Sequence, residues 1–235
     1  MDDLGIYTKN NLSLHHEQTK WVLLHLCEHG LSLKISKYVF DTPQMEYLGH
    51  IIGQGCVEID PGKLKAITDW KPPTTIKEVC SCLGFANFYC KFIPGFSNLI
   101  IPLILLTWKD EPWLWTSLQE HAFSTLKTKF FSALVLALPD NTHSFSIMTD
   151  AFLLAARAVL LQDDLNRDTH SCAYFSKTFS LAEWNYNIYD RELLAIILVL
   201  QEWRQYLQGT THPITIITHH KNLSFIKYPC KKTFL

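Results

Sequence analysis

The sequence predicts an α/β fold, and three observations carry that prediction. From residue 144 onward, β-patterned runs at 144–148, 155–162 and 171–176 precede a long helical pattern at 184–207 and a β-branched run at 214–218. Strand, strand, strand, helix, strand is an α/β order. Ahead of it, residues 61–106 carry helix signals punctuated by prolines. The composition of the 235 residues, 48% apolar, 18% charged and 13% aromatic, is that of a chain with a packed core, long enough for two small domains.

The elements follow in order. Residues 1–9 read as a short strand headed by Asp2 and Asp3. Ser13 is a candidate cap for a helix reaching about Glu28, with Gly30 as its stop and Trp21, Leu24 and Leu26 on its apolar face. Residues 31–40 alternate, with Leu31, Leu33 and Ile35 against Ser32, Lys34 and Ser36, which is strand periodicity. Residues 47–52 and 56–59, joined by Gly53-Gln54-Gly55, read as a β-hairpin. Pro61 suits a first helical turn, and that helix runs to about Trp70 before Pro72-Pro73 breaks it. Thr75 with Glu78 three residues on forms a capping-box pattern for a helix to about Lys91. A Trp-rich linker at 108–115 leads to a helix at 117–131, and Pro139-Asp140-Asn141 makes a turn into the β-patterned part. The sequence shows no internal repeat and no low-complexity segment.

Charge and cysteine usage narrow the classes. The net charge is −1, whereas a free nucleic-acid binder usually carries a basic excess to neutralise phosphates. The longest apolar runs, at 193–200 and 100–106, are too short to span a bilayer, so no membrane partner is expected. The seven cysteines, Cys27, Cys56, Cys80, Cys82, Cys90, Cys172 and Cys230, are irregularly spaced, and the acidic N-terminus has no apolar signal core. Free thiols and an intracellular setting, cytoplasmic or nuclear, are the expectation.

Three groups of residues could carry chemistry. Asp2-Asp3 could hold Mg²⁺, since hard cations prefer oxygen ligands, or could be two solvated acids. Asp150 ends a β-patterned run, Glu192 precedes the most apolar stretch of the long helix, and Thr218-His219-His220 closes the last strand. A Glu so placed costs desolvation unless paired or metal-bound; the alternative is a side chain at the edge of the buried face reaching water. His25 and His29 lie four apart beside Cys27, and Cys80, Cys82 and Cys90 sit close in sequence, but neither group has paired C-x-x-C spacing and zinc is disfavoured for both.

These residues, in this order, resemble the Pol polyprotein of gypsy-type LTR retrotransposons, from the tail of the reverse transcriptase into an RNase H-like domain. Met1-Asp2-Asp3 matches the end of a Y-x-D-D motif, and Tyr47-Leu48-Gly49-His50 resembles a primer-grip hairpin. Asp60-Pro61-Gly62-Lys63 and Leu83-Gly84-Phe85 with Phe92-Ile93 resemble a reverse transcriptase thumb. Thr149-Asp150-Ala151, Ala173-Tyr174-Phe175-Ser176-Lys177, Tyr189-Asp190-Arg191-Glu192-Leu193 and His220-Lys221-Asn222-Leu223 resemble an RNase H-like domain. The match covers nearly the whole chain, collinearly.

The resemblance implies an α+β palm remnant with the primer-grip hairpin at 1–60, a helical thumb at 61–106, a connection at 107–142, and an RNase H-like mixed sheet with helix at 143–235 that is truncated at its C-terminus. It implies Mg²⁺ or Mn²⁺ as cofactor and RNA–DNA hybrid or DNA as partner. It makes Asp150 and Glu192 descendants of RNase H metal ligands, and Asp2 and Asp3 descendants of polymerase ligands. Tyr47, Leu48, Gly49 and His50 become nucleic-acid-binding positions. The departures are equally specific. His219 stands where the family has an Asp, and a neutral imidazole is a poor Mg²⁺ ligand. Arg157 stands where the family has a small Gly, and Cys90 where it has an Arg. With the polymerase motif entered midway and the last helices absent, neither active site is expected to be intact: a pseudoenzyme of hydrolase and nucleotidyltransferase ancestry. The alternatives are a residual metal-dependent RNase H using His219 as a weak ligand, or a module that holds nucleic acid without cutting it.

Overall fold

The computed structural model describes residues 4–8, 11–31, 34, 38–109, 111–133, 135–152, 155–164 and 166–218. The chain divides into two compact units, residues 1–63 and 64–235.

The first unit holds a helix and a three-stranded antiparallel meander. Helix α1 (Leu12–Glu28) is capped by Asn11, whose Oδ1 accepts from the Leu14 amide at 3.0 Å, so the cap falls two residues before Ser13. Asn caps as well as Ser does, and Asn11 already offers an acceptor to the third helical amide. Gly30, at φ +70°, ends the helix. Its amide donates to Cys27 and the next amide, Leu31, donates to Leu26, the paired bonds of a Schellman motif. No residue of α1 is buried, so the expected apolar face is uncovered: Trp21 and Leu24 are exposed. The expected strand at residues 1–9 is not formed over 4–8, and much of the one expected at 31–40 lies outside the described residues.

Strands β1 (Gln44–Tyr47), β2 (His50–Gly53) and β3 (Cys56–Ile59) pair in sequence order. The run 47–52, read as one strand, is two. Leu48 and Gly49 adopt φ +50° and +76° and form a two-residue turn between paired Tyr47 and His50. Gln54 and Gly55 repeat it at φ +52° and +77° between β2 and β3. Both turns have the positive φ at two central residues that matches strand twist. Gly53 is needed for a different reason: a Cβ there would lie 2.5 Å from the Gln44 Cβ and the Pro43 carbonyl oxygen.

The helical elements come next: α2 (Pro61–Thr68), α3 (Ile76–Phe88), a 3₁₀ turn (Cys90–Phe92), α4 (Phe96–Leu105) and α5 (Ser117–Phe131). Thr75 caps α3 as the sequence predicts, accepting from the Glu78 amide, while Glu78 reaches back one residue further than expected, to the Thr74 amide and hydroxyl. Thr116 and Gln119 form a full capping box on α5. Val79, Ala86, Phe92, Ile93, Leu103, Leu126 and Phe130 are buried here. Trp70 stands edge-on to Phe85 with ring centroids 5.2 Å apart. Lys127 Nζ donates to the Thr68 and Trp70 carbonyls at 2.9 and 2.8 Å, satisfying acceptors freed at the end of α2.

After a short strand β4 (Leu136–Ala137) come β5 (Phe145–Phe152), β6 (Ala155–Asp163), β7 (Thr169–Thr178), α6 (Leu181–Trp184), α7 (Ile188–Glu202), α8 (Arg204–Leu207) and β8 (Thr215–Thr218). The sheet order is β7-β6-β5-β8, antiparallel except for the parallel β5–β8 pair. The α/β prediction is therefore correct, with two corrections. Asp150 is two residues inside β5 rather than at its end, because the ladder with β6 continues to Phe152 and Ala155. The helix expected at 184–207 is two helices, α7 and α8, preceded by α6, which ends at Trp184. Asn187 Oδ1 accepts from the Asp190 amide and starts α7 afresh, and Trp203 both ends α7 and begins α8. Phe145, Ile147, Leu160, Cys172, Val199 and Trp203 form one core cluster, and Ala151, Ala156, Phe179 and Ala195 a second. No helix among the described residues is long and apolar enough to cross a membrane.

Candidate active site at the β5–β8 corner

Small side chains build this corner. Ala151 and Ala156 on the sheet meet Ala195 on α7, letting the helix backbone come close. Glu192, one turn earlier on the same helical face, is thereby carried into the interior, where it is 5% exposed. Both its oxygens have donors. Oε1 accepts from the Ala151 amide at 3.4 Å, and Oε2 accepts from the Thr218 hydroxyl at 3.1 Å. Thr218 pairs with Thr149 in the parallel ladder, so Glu192 bridges the ends of two adjacent strands. The desolvation cost that a Glu in this position would carry is offset by these bonds.

Asp150 has another partner. Along β5, Phe145, Ile147, Thr149 and Ala151 are buried, and Ser146, Met148 and Asp150 alternate with them on the more open face. Across the antiparallel ladder Asp150 faces Arg157, whose Nη2 donates to Asp150 Oδ2 at 2.5 Å. The pair is part-exposed, with side-chain exposures of 35% for Arg157 and 39% for Asp150. Beside it Thr149 is 1% exposed, and its hydroxyl oxygen is buried with no partner among the described residues.

A divalent ion needs several anionic oxygens converging on one point. Here the Asp150 carboxylate is paired with a guanidinium, and the Glu192 oxygens accept from an amide and a hydroxyl. Among the described residues no group of three His, Cys, Asp or Glu side chains could hold a metal. The donor set on these residues does not fit a metal pair. Cys82 is buried, and desolvation pushes its thiol up to about 11.

The remaining sequence-predicted positions are placed as follows. Asp2, Asp3 and His219 lie outside the described residues. Tyr47, Leu48, Gly49 and His50 are the β1–β2 turn, with Leu48 exposed and His50 buried. Two residues that build the site were not singled out as such by the sequence, and a third braces the opposite end of β5. Arg157 was visible as a departure but not as the partner of Asp150. Thr218 was visible only as a strand end. Gln162, buried, donates to the carbonyl of Asp140 and accepts from its amide, pinning the turn before β5.

A mixed sheet with a long helix against its central strands, and a carboxylate at the parallel β5–β8 junction, is the arrangement that the sequence led us to expect of an RNase H-like domain. Residues 115–216 match the family described as the RNase H-like domain found in reverse transcriptase. The chain as a whole is a relative of retrotransposon polyproteins. It is 35% identical over 223 residues, 95% of its length, to the transposon Tf2-3 and Tf2-4 polyproteins of Schizosaccharomyces pombe (strain 972 / ATCC 24843), and it spans 17% of their length. Among solved structures it is similar to a foamy viral protease–reverse transcriptase in complex with double-stranded DNA, with a TM-score of 0.74 and 22% identity over 97% of this chain and 40% of that one. A foamy viral protease–reverse transcriptase in complex with an RNA/DNA hybrid gives a TM-score of 0.73 and 22% identity over 90% of this chain and 28% of that one.

Proposed function

We propose that this chain is the thumb-to-RNase H stretch of a retrotransposon Pol polyprotein, and that its hydrolytic corner does not cleave RNA–DNA hybrids. In this reading residues 1–60 are a palm remnant, 61–106 the thumb, 107–142 a connection and 143–235 the RNase H-like domain. Asp150 and Glu192 descend from metal ligands, as do Asp2 and Asp3 of the polymerase. The observation that carries the reading is that both acids at the β5–β8 corner are already satisfied by protein donors. The next position after Thr218 supplies His219, which brings no negative charge when neutral. Two divalent cations about 4 Å apart repel strongly unless anions offset them.

The test is hydrolysis of labelled RNA in an RNA–DNA hybrid by the purified chain, with Mg²⁺ and separately with Mn²⁺. No metal-dependent product is expected. Cleavage that disappears in Asp150→Asn overturns the reading. His219→Asp then reports whether the missing anion is the limiting one: restored cleavage assigns the loss to that position.

A second reading, nucleic-acid binding without cleavage, is supported by the two foamy viral neighbours having been solved with double-stranded DNA and with hybrid. Hybrid affinity that falls steeply with added salt is its expected signature, and no detectable binding at low salt removes it.

A further inference from the structure

We infer that Arg157 is the resident cation of the β5–β8 corner: its guanidinium holds Asp150 in the role that a divalent ion would otherwise have, and so keeps the corner closed to metal. The inference rests on the reading of Asp150 as a former metal ligand and deepens it.

Four observations carry it. The register places Arg157 directly across from Asp150, and the ion pair is made by that neighbour. The arginine is built in on its other side as well. In the β6–β7 ladder it faces Ser176, whose hydroxyl accepts from the Ser97 amide at the start of α4. Its stem runs past Gly95, where an added Cβ would come 4.0 Å from Arg157 Cδ. Its Nε is buried. A side chain fenced in this way loses little further entropy on pairing, unlike a surface arginine that must be immobilised.

The charge argument gives the direction. A guanidinium stays protonated throughout the accessible pH range, so Asp150 faces a permanent positive charge. An incoming divalent ion must displace it or bind beside it, and either course is repulsive. Glu192 alone, with both oxygens accepting protein hydrogen bonds, is a poor substitute. Removing the positive charge while keeping the stem should therefore create a weak single-ion site that depends on Asp150, whether or not hydrolysis follows.

The experiment is Mn²⁺ titration of the whole chain, followed by the electron paramagnetic resonance signal of free Mn²⁺ with no nucleic acid present. Wild type should bind no more tightly than Asp150→Asn. Arg157→Met should bind at least about tenfold more tightly than the Arg157→Met, Asp150→Asn double variant, and Arg157→Lys, which keeps the charge, should behave as wild type. Where circular dichroism shows Arg157→Met to be unfolded, Arg157→Gln carries the same expectation. Asp150-dependent Mn²⁺ binding by wild type overturns the inference, as does equal binding by the charge-removed variant and its double. Hybrid cleavage by wild type would sink the proposed inactivity instead. Metal gained without cleavage leaves both statements standing.

Discussion

At the corner of the sheet, two carboxylates differ sharply in surroundings. Glu192 is buried and serves two donors, whereas Asp150 is part-exposed and serves one cation. Their substitutions should differ accordingly. Glu192→Leu removes the side-chain acceptor of the Ala151 amide and of the Thr218 hydroxyl and should cost about 1–3 kcal/mol in denaturant unfolding. Asp150→Asn removes a part-exposed ion pair and should cost less than about 1 kcal/mol. The reverse ranking would mean that Asp150, not Glu192, braces the corner. The cysteines give a second residue-scale test. Burial pushes the Cys82 and Cys172 thiols up to about 11, so at pH 8 both are protonated and shielded. Iodoacetamide should label the exposed Cys27 and Cys80 first, as mapped by mass spectrometry of the native protein. Prior labelling of Cys172 would contradict the packing of the β-sheet core.

Among the elements, helix caps make the clearest pH prediction. The Thr74 amide holds the Glu78 carboxyl below its ordinary value of 4.5, and the Ser180 amide does the same for Glu183. A carboxyl with a depressed folded pKa contributes stability above its unfolded pKa and loses it as the pH falls through the folded one. Helicity should therefore decline below about pH 4.5, with a shallower slope in Glu78→Gln and Glu183→Gln; an unchanged slope would discount the caps. Thr116→Ala should cost about 1 kcal/mol by breaking the α5 capping box. These caps are also where the sequence was most readable. The span of α5 and the Thr75 cap follow from local chemistry, and both stand in the structure. The failures have local causes too. Leu48 at positive φ splits a run that looks like one strand, because an apolar residue gives no turn signal. Asn187 recaps a helix whose apolar periodicity appears unbroken, because a cap is invisible inside a periodic run. At the candidate site, the sequence singled out Asp150 and Glu192, which the structure places at one corner of the sheet, and marked Arg157 as unusual. Its meaning waited on the ladder register, which sets Asp150 opposite Arg157.

Across the described residues of the second unit, a mixed sheet and its adjoining helices carry a corner where Asp150 and Glu192 accept from protein donors. The fold is retained where packing alone determines it: small residues under α7, a continuous apolar cluster, and capped helices. The donors that occupy these acids, Arg157 on Asp150 and the Ala151 amide and Thr218 hydroxyl on Glu192, belong to a few positions rather than to the architecture. The most direct measurement is a crystal structure of the chain soaked in Mn²⁺, with anomalous scattering used to locate the ion. The account predicts Arg157 on Asp150 and no anomalous peak beside Glu192. A fully occupied pair of Mn²⁺ ions coordinated by Asp150 and Glu192 would contradict it.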